Sequence, residues 1–148
     1  MKKEMIILYM KTGILRQKQL DKEKTKSIIK SAEINARVAK TVLLNEDSAT
    51  LIFREIYESI RQLGEARWWT LNYEPTNHEI SLDILKEMDI KEKILLNSLD
   101  RFKKIRHDAN YRGFIISVNQ AQEIITFWDK CAIEIMKIIM NDLKSQLY

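Results

Sequence analysis

The sequence predicts an all-α fold, an antiparallel up-and-down bundle of about five helices forming one domain. Three observations predict it. The 148 residues include three Gly and one Pro, too few for the turns of a β-rich fold. Ile, Leu, Lys and Glu recur at the frequency of helical proteins. Apolar residues return every three or four positions along most of the chain, the period of one helix face. The length suits one hydrophobic core and is short for two, so residues 1–148 are expected to form one domain with its core at about 20–145.

The first 18 residues are the least determined. Residues 5–10 form an apolar run that ends at Lys11 with no small-residue cleavage site. It is too short for a secretory signal. Residues 6–15 fit a strand, a helix or an arm exchanged within a dimer. From residue 20 to about 44, Ile28, Ile29, Ala32, Ala36, Ala39, Val42 and Leu43 keep helical spacing, which predicts the first core helix. Asn45-Glu46-Asp47-Ser48 predicts a turn ending in a capping Ser48, after which Leu51, Ile52, Ile56, Ile60 and Leu63 restart the stripe toward Trp69 or Leu71.

The only proline lies in Asn72-Tyr73-Glu74-Pro75-Thr76-Asn77, a connection that ends in a capping Asn77. A short third helix is expected at about 78–88, with Leu82 and Leu85 inward. Asp89 and Glu92 have capping-box spacing, and predict a fourth helix carrying Ile94, Leu95, Leu99, Phe102 and Ile105. Gly113, which can adopt the left-handed conformation, closes it. Ser117 and Gln120 then predict a capped final helix whose inward stripe is Ala121, Ile124, Ile125, Trp128, Ala132, Ile135, Ile139 and Leu143.

Charge narrows the function only a little. The 25 basic and 21 acidic residues leave a net charge of +4, spread along the chain, which permits a polyanionic partner without requiring one. Cys131 is the single cysteine and has apolar neighbours, so a buried thiol is expected rather than a disulfide or a nucleophile. No apolar stretch reaches the roughly 20 residues of a membrane-spanning helix. A cytoplasmic protein with no membrane contact is the expectation.

Short connections between antiparallel helices would gather chemistry at one pole. A hairpin of the third and fourth helices brings His78 beside Arg106, His107 and Tyr111. The end of the second core helix, with Arg67 and Trp69, and the start of the last helix are expected at that same pole. The chain has no phosphate-binding glycine loop and no zinc-spaced Cys or His set, so neither a metal nor a cofactor is expected.

Residues 103–113, Lys103-Lys104-Ile105-Arg106-His107-Asp108-Ala109-Asn110-Tyr111-Arg112-Gly113, have two readings. In the structural one, cations meet the negative end of a helix dipole ahead of an Asn-Tyr-Arg-Gly stop. In the chemical one, Arg106 holds a phosphate through its fixed, always-charged fork, and His107, a residue type with an ordinary pKa of about 6.5, exchanges protons. RNA cleavage without a metal needs those two functions, a base for the ribose 2′-hydroxyl and a cation to offset charge on the phosphorane.

Three blocks resemble the higher eukaryotes and prokaryotes nucleotide-binding family, HEPN, in its small archaeal and bacterial stand-alone type. They are Arg61-Gln62-Leu63-Gly64-Glu65-Ala66-Arg67, Tyr73-Glu74-Pro75-Thr76-Asn77-His78-Glu79 and Lys104-Ile105-Arg106-His107-Asp108-Ala109-Asn110-Tyr111-Arg112-Gly113. The resemblance spans about residues 20–143. It implies an antiparallel helical bundle, commonly a homodimer, that associates with RNA or a nucleotide. Many ribonuclease members are toxins, so it also implies a nucleotidyltransferase-like antitoxin as partner.

Catalytic members are metal-independent ribonucleases with an Arg, a polar neighbour and, after a gap of four to six residues, a His. Two registers fit this chain. In the preferred one Arg106 is the family Arg, His107 its polar neighbour, and Tyr111 stands where His is expected. In the other, Arg101 pairs with His107; residues six apart point about 120° from one another around an ideal helix, so this register needs a helix break or a partner chain to bring them together. The first register implies Arg106, His107 and Tyr111 as catalytic residues, with His78, Lys104 and Arg112 contacting the nucleic acid. A tyrosine, ordinarily titrating near 10, is a poor base at neutral pH. His78 either packs in the first turn of its helix or stands in space for the missing His.

The rival reading is a non-catalytic dimerisation or protein-interaction module. It expects an exposed apolar stripe around Trp128, Met136 and Met140, with Arg106, His107 and Tyr111 consumed by internal hydrogen bonds. Trp68, Trp69 and Tyr73 could stack on bases, but paired aromatics at a helix end also serve as core or dimer contacts.

Overall fold

The computed structural model describes residues 1–146. Its helices are α1 (Lys3–Lys11), α2 (Lys22–Ala39), α3 (Ala49–Thr70), α4 (Glu79–Leu85), α5 (Leu99–Tyr111) and α6 (Val118–Ser145). A 3-10 segment, Lys93–Ser98, leads into α5, and two three-residue strands, β1 (Leu15–Gln17) and β2 (Tyr73–Pro75), pair as an antiparallel ribbon. The all-α expectation holds, with this ribbon as an addition.

Helix α3 is the spine. Ile52, Phe53, Ile56, Ile60, Leu63, Ala66 and Trp68 are buried along it, and α2, α4 and α6 pack around it. Burying one such aliphatic side chain contributes roughly 1.5–3 kcal/mol relative to leaving it in water. Helices α3 and α4 come close at Gly64, where an added Cβ would collide with the carbonyl oxygen of Ser81. The Trp68 indole N–H donates to the Ile80 carbonyl at 3.0 Å, which fastens the same pair of helices. Trp68 and Trp69 are thus core residues.

Helix α2 is antiparallel to α3, with Lys24 over Trp69 and Ser31 beside Gln62, but α3 and α6 run in the same direction. Near their starts, the Ile116 N–H donates to Thr50 Oγ1 at 3.1 Å. Near their ends, Arg67 pairs with Asp142.

Cap chemistry explains which element boundaries match. Asp21 accepts from the Lys24 N–H at 3.0 Å, and Ser117 and Gln120 form the reciprocal capping box at the start of α6. The whole expected α6 stripe is inward, Ile125 less completely. At Ser48 the expected cap is absent: its hydroxyl donates backward to the Leu43 carbonyl at 2.5 Å, while Asn45 accepts from the Asp47 and Ser48 N–H groups. Helix α2 itself stops at Ala39, and Val42 and Leu43 are exposed beyond it.

Asp89 and Glu92 do not open the fourth helix. Met88 and Ile90 are both buried at alternate positions, and the Lys91 N–H donates to the Glu134 carboxylate at 2.9 Å. Those anchors hold residues 88–92 off a helical path, α5 begins at Leu99, and Ile94 is exposed.

The unassigned start becomes α1 and β1. Leu15 is buried and paired with Pro75, Arg16 with Glu74, and Gln17 with Tyr73. Arg16 adds an ion pair to Glu74 at 2.6 Å, and the Thr76 N–H donates to the Ile14 carbonyl at 2.8 Å. Among the described residues no helix is long and apolar enough to cross a membrane.

Candidate functional site

A cleft of about 650 Å³ opens on the flank of α3, bounded by the start of α4 and one face of α5. Helix α3 contributes Tyr57 and Arg61, the α4 approach contributes Asn77, His78 and Glu79, and α5 contributes Asp100, Lys103, Lys104, Arg106, His107 and Tyr111. The sequence-based grouping of His78 with Arg106, His107 and Tyr111 is therefore realised. Its placement at a pole is not, because Tyr57 and Arg61 lie midway along α3. Arg67 is taken by Asp142 near the end of α6, whose start lies beside Thr50, so neither joins the cleft.

His78 is placed by the turn before α4. Asn77 Oδ1 accepts from the Glu79 N–H at 2.7 Å, the role expected of Asn77, and this fixes the backbone around His78. From α3, Arg61 Nη1 meets His78 Nδ1 at 2.9 Å. A guanidinium can only donate, so His78 Nδ1 accepts and the ring proton sits on Nε2. His78 therefore brings an Nε2–H donor to the cleft.

The two arginines beside the cleft have opposite electrostatics. Arg61 is 9 % exposed, donates to Glu58 at 2.5–3.0 Å and pairs with Glu65 at 3.3 Å. Burial opposes its charge, but the Glu58 hydrogen bonds and the two carboxylates outweigh that and hold its pKa above the ordinary value. Arg106 is half-buried and, among the described residues, has neither a carboxylate within ion-pair distance nor a hydrogen-bond acceptor. Its guanidinium carbon lies 5.4 Å from the centre of the Tyr57 ring, a cation–π contact that leaves its N–H groups free. Burial pushes the Tyr57 hydroxyl up to about 12, partly offset by Arg106.

His107 and Tyr111 follow on α5 with ring centres 4.8 Å apart at 44°. Neither makes a side-chain hydrogen bond to a described residue, and Tyr111 is 73 % exposed, so both can be reached from solvent. The Arg106, His107 and Tyr111 side chains are not consumed internally, as the rival reading expected. Its apolar stripe is also altered: Trp128 is buried, while Met136 and Met140 are half-buried.

The remaining candidates divide. Lys104 borders the cleft but bonds Asp108 at 2.9 Å, and Arg112 lies outside it with Nε 3.9 Å from the same carboxylate. The Lys104 hydrogen bond, with these positive charges, holds Asp108 below the ordinary carboxylate range. Arg101 pairs with Glu123 on α6, and α5 is unbroken from Leu99 to Tyr111. Within one chain Arg101 is thus not brought to His107, and no helix break joins them.

Tyr57, Arg61 and Lys103 were not singled out from the sequence as site residues. Arg61 carried a signal, since Glu58 and Glu65 flank it at helical spacings that mark a held arginine. Tyr57 had none, being adjacent to the core stripe. Lys103 donates to the Glu79 carbonyl at 3.0 Å and thereby ties α5 to the start of α4. Among the described residues no group of three or more His, Cys, Asp or Glu is arranged to hold a metal ion.

Comparison with protein-family models finds no match, and searches of curated proteins and of solved structures find none either.

Proposed function

We propose that the protein is a HEPN-like, RNA- or nucleotide-associated protein whose α3–α5 cleft receives a phosphate group, with metal-independent cleavage of RNA as its activity. One observation carries the reading. Arg106 presents a half-buried guanidinium, unpaired among the described residues, into an open cleft, while Arg61 next to it is neutralised by two glutamates. A partly dehydrated cation without a counter-ion is stabilised by an anionic ligand, and a guanidinium matches phosphate oxygens in both charge and geometry.

The surrounding groups have distinct uses. Neither ring nitrogen of His107 is engaged by a described residue, so its unprotonated nitrogen is open to take the proton of a ribose 2′-hydroxyl. The freed oxygen attacks the neighbouring phosphorus, forming a phosphorane whose added charge Arg106 offsets. His78, its proton held on Nε2 by Arg61, donates a hydrogen bond to a phosphate oxygen rather than acting as the base. Tyr111 offers a phenolic hydroxyl as a further donor. The departing 5′-oxygen is protonated from water. A homodimer would set two such clefts along one strand, and a nucleotidyltransferase-like antitoxin would be the partner that restrains a toxin of this kind.

The test is incubation of the protein and an Arg106→Ala variant with labelled single-stranded and structured RNA in EDTA, following binding and cleavage together. Cleavage that resists EDTA and falls about 10²–10³-fold in the variant supports the reading, since that is the usual loss for one charge-stabilising donor. RNA that is neither bound nor cut by the unaltered protein overturns it.

A further inference from the structure

A second concavity, away from the cleft, runs between α2 and α6. Both helices rest on α3 and barely touch one another, which leaves a furrow of about 720 Å³ between them. Its apolar lining is Ile29, Ile34, Ile133, Met136 and Met140, and Ile133 is 61 % exposed. Its basic lining is Lys26, Lys30, Arg37, Lys137 and Lys144, against the single acid Glu33. The furrow continues past Trp128 toward Lys40 and Thr41. From Lys26 to Lys40 it follows about 21 Å of α2, the length of roughly four helical turns.

We propose that this furrow is a docking site for an amphipathic, acidic α-helix of a partner protein. The shape is that of a slot between two helices, in which a third helix lays its apolar face on the isoleucines and methionines. Methionines suit such a surface because their flexible thioethers adapt to the guest. The rims choose the sign of charge. Glu33 is paired with Arg37, whereas Lys30, Lys137 and Lys144 have no acidic partner among the described residues. Acidic residues flanking the guest's apolar stripe would complete them. A second copy of this chain is a poor occupant, since a two-fold contact through the furrow sets these basic rims against each other. A bilayer does not fit a concave slot, and an RNA backbone would leave the apolar floor uncovered.

The experiment displays a library of 16-residue helices against the full-length protein. The apolar stripe is varied among Leu, Ile, Met and Phe, and the flanks among Glu, Gln and Lys. Enrichment of Glu at the flanks is expected, with binding weakened at least about tenfold by Ile133→Glu and retained in Arg106→Ala. In Lys137→Glu the preferred flank should move toward Lys, a response that unfolding cannot give. Selection of no binders, indifference of the flanks to charge, or binding unaffected by Ile133→Glu would each overturn the proposal. So would a dimer that Ile133→Glu converts to monomer, or comparable binding of the protein to anionic vesicles. The arms are independent of RNA cleavage, so this proposal and the one for the cleft fail separately.

Discussion

Arg61 holds His78 in one tautomer: its Nη1 donates to Nδ1 at 2.9 Å across the interface of α3 with the turn before α4. The donor cannot be exchanged for an acceptor, so the contact exists only while Nδ1 is unprotonated.

Long-range nitrogen–proton correlation spectra of His78 should therefore show the Nε2–H form in the unaltered protein. In Arg61→Met that preference should relax. The same substitution leaves Glu58 and Glu65 without their cation, and should cost about 2 kcal/mol, read as a lower thermal midpoint. An unchanged tautomer in the variant would mean that something other than Arg61 selects it.

Alkaline pH should destabilise the protein through Tyr57. Its hydroxyl titrates at about 12 in the fold against 10.0 ordinarily, because burial disfavours the phenolate. The folded state keeps its proton where the unfolded chain has lost it. The contribution is complete below pH 10 and disappears as pH rises through 12, with an upper size of roughly 3 kcal/mol. Denaturant titrations from pH 8 to 12 should show this fall, and Tyr57→Phe should flatten it while changing little at pH 7.

Gly64→Ala tests the seam between α3 and α4. The new methyl would meet the Ser81 carbonyl, a backbone group that cannot rotate away. A loss of about 3 kcal/mol is expected in denaturant melts, since overpacking of this kind displaces a whole helix. Gly113→Ala makes a useful contrast, because its cost would come from φ of +68° rather than from collision.

Cys131 should resist thiol reagents in the native state. It is fully buried in α6, and burial pushes its pKa up to about 11, so little thiolate forms at pH 8. Stoichiometric labelling is expected only after denaturant is added, and rapid native labelling would contradict the packing of α6.

What could be read from the sequence was what neighbouring residues decide. The α6 stripe and the Ser117–Gln120 box are local, and both are present. The equally local spacing of Asp89 and Glu92 misled, because Met88, Ile90 and Glu134 impose a tertiary restraint that no window around residue 90 contains. Strand β1 was undecidable alone, since its partner lies 58 residues away at Glu74. The cleft was half legible: helical hairpin geometry brought His78 toward Arg106, but the support from Tyr57 and Arg61 required knowing which side of α3 those helices cover.

The ribbon of Leu15–Gln17 with Tyr73–Pro75 makes the setting of the cleft a property of the first residues of the chain. Pro75, two positions before Asn77, is moored to Leu15, and Thr76 is bonded to Gly13 and Ile14. A fragment beginning at Lys22 would retain every residue named in the cleft and yet lose the clamp that sets the height of the His78 loop. A protease cutting after Gln17 or Lys18 could thus disarm the cleft from outside it.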